Sequence, residues 1–86
     1  MIKLSKEHHN YLISILDDHL KKRIINVLMI ENNNYMYNAD DDLELDLYDY
    51  LQDKQVEFGF DKDYNPNEDW EKIQKIIDEV YNQIEV

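Results

Sequence analysis

Across 86 residues, 20 acidic side chains face 9 basic ones, so the chain carries a net charge of −11, with one glycine, one proline and no cysteine. That length makes one domain, residues 1–86, near the lower size limit of a self-sufficient core, and without cysteine neither disulfides nor thiolate metal sites can staple it. The charge argues against direct binding to nucleic acid or to an anionic membrane, while 43% apolar residues at regular spacing argue against disorder.

The opening segment, MIKLSKEHHN, has no apolar run of the signal-peptide kind, and no stretch approaches the roughly 18 apolar residues of a membrane span. The chain therefore reads as soluble and cytoplasmic. Its richness in Asn, Ile, Lys and Tyr suggests an A/T-rich coding source, such as a low-GC bacterium or its phage. Sandwiches and barrels need turn residues about every 8–12 positions, and those are missing, so an all-α domain is expected.

Ser5 offers an N-cap, followed by Glu7, and the apolar residues Leu12, Ile15, Leu16, Leu20, Ile24, Val27 and Leu28 then recur at helical spacing. No Gly or Pro marks a stop before Glu31, so the spacing predicts one long first helix of about 40 Å at 1.5 Å per residue. A break near Asp17-Asp18-His19 is the alternative. Asn32-Asn33-Asn34 would end this helix, because asparagine tolerates the left-handed conformation and competes for backbone hydrogen bonds. Tyr35-Met36-Tyr37 would follow as a loop packed back onto the helices.

Over residues 41–58, Leu43, Leu47, Tyr50, Leu51 and Phe58 fall on one helical face. Leu43, Leu45 and Leu47 also alternate as in a strand, but the run is too long for one. Asp40 to Asp42 suit the positive end of a helix dipole, and Gly59 is the expected C-terminal cap. The last helix begins at Asn65-Pro66-Asn67-Glu68, capped by Asn65 or by Asn67, and carries Trp70, Ile73, Ile77, Val80, Tyr81 and Ile84 as its apolar stripe, with Ile76 beside them. The architecture these elements predict is a compact three-helix bundle, or four helices if the first is broken near residues 17–19.

The middle helix carries the chemistry. At 100° per residue, Asp42, Asp46, Asp49, Asp53 and Glu57 fall within an arc of about 80°, a stripe of five carboxylates beside the core face with no lysine expected inside it. Leu45 lies near the stripe on the exposed side, and Tyr48 and Tyr50 offer aromatic surface beside it. The whole chain shares the asymmetry: residues 1–39 hold five Lys/Arg and four acids, a net +1, whereas residues 40–86 hold four lysines and sixteen acids, a net −12. Such a field attracts basic surfaces. An acidic helix face can also be no more than a solvated one that keeps a small protein soluble.

Other constellations carry less. Asn38, Asp40, Asp42 and Asp49 imitate a calcium loop, but Leu43 stands where the turn glycine belongs and Asp49 where a bidentate Glu belongs; Asp61, Asp63, Asn65 and Asp69 fail similarly at Pro66 and Lys72. No metal or cofactor is expected. His8, His9 and His19 read as surface histidines. Lys21-Lys22-Arg23, the one basic cluster, would pair with acids of a neighbouring helix or of its symmetry mate. With no Cys or Thr, only Ser5 and Ser14 as hydroxyl nucleophiles and a single glycine, an enzyme is not expected.

The sequence thus predicts a small acidic helical protein that inhibits or neutralises a partner with a basic, nucleic-acid-acting surface, in the manner of an immunity protein, an antitoxin or a phage counter-defence inhibitor. The contact would be made by Asp42, Asp46, Asp49, Asp53 and Glu57 as a nucleic-acid mimic, with Leu45 and Tyr48 or Tyr50 as apolar anchors. The alternative is a self-associating helical module, a homodimer through the first helix that seals Val27, Met29 and Ile30 between subunits.

Overall fold

The computed structural model describes residues 1–84. Its elements run β1 (Ile2–Ser5), α1 (Lys6–Ile15), α2 (Asp18–Asn26), β2 (Leu28–Glu31), β3 (Asn34–Tyr37), α3 (Asp41–Phe58) and α4 (Glu68–Gln83). Helices hold 63% of the described residues, but the protein is not all-α and not a helical bundle: a three-stranded antiparallel sheet of order β1-β3-β2 is built into it.

The expected first helix from Ser5 to Glu31 is replaced by the end of β1 and by three elements, α1, α2 and β2. Ser5 does cap α1, accepting from the His8 N–H at 3.2 Å. The helix then stops at Leu16, and the alternative break is the one that forms. Asp17 causes it, because its carboxylate accepts the Leu20 N–H at 2.7 Å and starts α2 as an N-cap, with no glycine or proline required. Beyond Val27 the apolar run Leu28-Met29-Ile30 is strand. Asn32 and Asn33 adopt the left-handed conformation (φ 51° and 67°), as expected of asparagine, but they form the two-residue turn of a β-hairpin and end no helix. Tyr35-Met36-Tyr37 is accordingly the central strand of the sheet and not a loop.

The sheet turns Ile2, Leu4 and Tyr37 inward against Leu12 of α1, Ile24 of α2, Leu47 and Leu51 of α3, and Ile73, Ile76 and Val80 of α4, all of them buried. Helix α3 occupies the predicted span, capped by Asp40, whose carboxylate accepts the Leu43 N–H at 2.8 Å. Gly59 is its C-terminal cap, but at φ −82°. The glycine is required by proximity and not by handedness: a Cβ there would lie 2.2 Å from the Gln55 carbonyl oxygen and 3.1 Å from Trp70. Of the two caps proposed for α4, Asn67 is the one used, accepting the Trp70 N–H at 3.0 Å. Helices α3 and α4 pack together, joined further by the Gln55 amide, which donates to the Trp70 carbonyl and to Gln74. No helix among the described residues is long and apolar enough to cross a membrane.

Candidate functional site: the outward face of α3

The residues that bury Leu43, Leu47 and Leu51 against the core necessarily turn the opposite face of α3 to solvent. Asp42, Asp46, Asp49, Asp53 and Glu57 are all exposed on it. The stripe is not free of cations, as the sequence had suggested. Arg23 of α2, alone of the basic cluster among the ion pairs of the described residues, donates from Nη1 to Asp46 Oδ2 at 2.7 Å, and Lys54 donates to Glu57 Oε2 at 2.8 Å. The Glu57 hydrogen bond, with help from Tyr50 and against some desolvation, raises the Lys54 ammonium above its ordinary pKa. Asp42, Asp49 and Asp53 have no ion-pair partner among the described residues.

A groove of about 310 Å³ runs between α2 and α3, lined by Asp17, His19, Leu20, Arg23, Asp46, Asp49, Tyr50 and Asp53. Asp17 thus adds a fourth carboxylate to the groove from outside α3. Tyr50 lines the groove and donates its hydroxyl to the Ile15 carbonyl at 2.6 Å, which fixes the end of α1 against α3. Tyr48 is placed elsewhere, half-buried on the flank of α3 with its ring 6.0 Å from that of Tyr81 on α4. The structure therefore brings seven of the eight candidate contact residues onto or beside one surface and leaves Tyr48 off it.

Leu45 is exposed beside the acids, as expected, and Val56 is more exposed still, at 71% of its surface. Val56 follows Leu45 by eleven residues, three helical turns, so both project from the same face about 16 Å apart. Sequence reasoning missed Val56, although the signal was present: it belongs to none of the positions assigned to the core face. Asp17 was missed because it was read as interior to a long helix.

Two polar clusters lie outside this face. His9, read from sequence as a surface histidine, is buried; its Nδ1 shares a 2.5 Å hydrogen bond with the Tyr37 hydroxyl, and its ring stacks on Tyr35 at 4.2 Å. Burial pushes the His9 imidazole below its ordinary pKa and the Tyr37 phenol above its own. The signal was legible, since His9 shares a helical face with Leu12, Ile13 and Leu16. His8 is half-buried, with its Nδ1 3.0 Å from Glu79 Oε1, and only His19 is fully exposed. Among the described residues no group of three or more His, Cys, Asp or Glu is placed to hold a metal ion. Two acids of the calcium-like stretches have other work: Asp40 caps α3, and Asp61 accepts from the Asp63 and Asn65 N–H groups to fold its own loop. No family model, curated protein or solved structure matches this chain.

Proposed function

We propose that this protein is an acidic binding protein whose α3 face docks into the basic groove of a nucleic-acid-acting partner and blocks it. One observation carries the reading: five carboxylates lie exposed along one side of a single rigid helix, and three of them have no cationic partner among the described residues. Asp42 to Glu57 covers about 22 Å of helix axis, the axial length of roughly six nucleotides of one DNA strand. Neighbouring carboxylates one turn apart are spaced at about 5–6 Å, so the row can occupy arginine and lysine positions that otherwise grip a phosphate backbone.

Leu45 and Val56 fit the same reading, because charge sets orientation and association rate while a few apolar anchors supply much of the buried energy. Tyr50 lines the groove between α2 and α3. The immunity-protein, antitoxin and counter-defence types of inhibitor share this physics on several folds, so the fold itself does not choose among them.

Capture from a bacterial lysate tests the proposal when the immobilised protein is compared with Asp49→Lys/Asp53→Lys. The expected result is a basic partner that binds the unaltered protein, is displaced by added DNA or RNA, loses its nucleic-acid activity when bound, and ignores the lysine variant. A partner retained equally by both proteins, or indifferent to nucleic acid, would overturn it.

A further inference from the structure

The two edges of the sheet are treated differently. On the outer edge of β1, the Gln83 side chain does what a fourth strand would do: its Oε1 accepts the Lys3 N–H at 2.7 Å and its Nε2 donates to the Lys3 carbonyl at 3.0 Å. That edge is closed. The outer edge of β2 has no such plug among the described residues. The Asn38 N–H donates to the Val27 carbonyl at 3.0 Å, and Glu31 lies opposite Asn34 across the two-residue turn. In this antiparallel register Val27, Met29 and Glu31 direct their backbone groups at β3, so Leu28 and Ile30 direct theirs outward. Edge strands are commonly guarded by lysine, proline or a bulge, and β2 has none of these. Met29 and Ile30 are exposed instead.

We infer that this edge pairs with a second copy of the same chain, β2 against β2, antiparallel about a two-fold axis through Met29. The register follows from the outward groups: Leu28 of each copy pairs with Ile30 of the other, Met29 faces Met29, and two three-stranded sheets become one of six strands. Charge favours a second copy as the occupant. The hairpin belongs to residues 1–39, with a net charge of +1, and so offers two molecules of net −11 an approach that avoids bringing their −12 halves together. Glu31 comes opposite Val27 of the other copy, just past the last turn of α2, whose basic residue is Arg23. A four-residue edge makes a small interface, so the dimer is a weak, concentration-dependent one.

Sedimentation equilibrium of the full chain, from tens of micromolar to near-millimolar concentration, tests this. The average mass should climb from 10.5 kDa toward twice that value. Met29 is exposed on the sheet, so Met29→Lys and Met29→Glu should keep the fold by circular dichroism while weakening the dimer roughly tenfold or more, because each sets like charges face to face. Mixing the two variants in equal amounts should restore pairing at low salt. A chain that stays monomeric over the whole range, or variants that dimerise unchanged, would overturn the inference; a mixture that fails to pair would overturn the axis at Met29. Asp49→Lys/Asp53→Lys should dimerise as the unaltered protein does, which keeps this result separate from that of the acidic face.

Discussion

His9 is the residue at which the core meets pH. Around its ring lie Tyr37, hydrogen-bonded, and Tyr35, stacked, while the neighbouring His8 turns to Glu79. Burial disfavours the charged imidazolium, so the folded protein holds this proton less well than the unfolded chain, whose histidine has its ordinary value of 6.5. The stabilising contribution is therefore complete above 6.5 and is lost as pH falls below it toward the lowered folded value. The urea midpoint should drop between about pH 7.5 and about pH 5.5, and His9→Leu should flatten that slope. Gly59 gives a second residue-scale test. Gly59→Ala forces a Cβ into the Gln55 carbonyl, so it should cost about 1–3 kcal/mol, read from chemical denaturation, in place of the small gain that glycine-to-alanine changes give at permissive sites. Ile76, fully buried on α4, should cost about 2–5 kcal/mol as Ile76→Ala, a large share of the stability of a domain this small.

At the scale of elements, α3 and α4 were legible in the sequence because each is long, amphipathic and capped by recognisable residues, Asp40 and Asn67. The sheet was not, and the reason is specific. Four apolar residues, Val27 to Ile30, satisfy helical and extended periodicity alike, and the scarcity of glycine and proline concealed a turn that two asparagines make by themselves. The acidic face was legible for the same reason as α3, since a correct helix fixes every position on it. Arg23 could be paired with Asp46 only once α2 had its own axis. The hairpin can be tested through its turn. Asn33 sits at φ 67°, so Asn33→Gly should leave stability level or raise it slightly, whereas Asn33→Val, a β-branched residue forced to positive φ, should lower it by about 1–3 kcal/mol in thermal or urea unfolding.

The molecule as a whole separates its tasks by position. The near-neutral half, residues 1–39, builds the sheet and the short helices, and the half with net charge −12 builds α3, α4 and the loop between them. Mutual repulsion in that second half should be screened by salt, so the melting temperature should rise with sodium chloride concentration. The role proposed for the outward face of α3 is recognition of a basic groove. Its most direct test is the association rate with the captured partner, measured at low and at physiological ionic strength, for the unaltered protein and for Asp49→Lys/Asp53→Lys. These two acids are the informative pair because neither has an ion-pair partner to lose among the described residues, unlike Asp46. The variant should associate on the order of tenfold or more slower at low salt, with a much flatter salt dependence and an unchanged fold. Equal rates with equal salt dependence would contradict it and return the face to solvent.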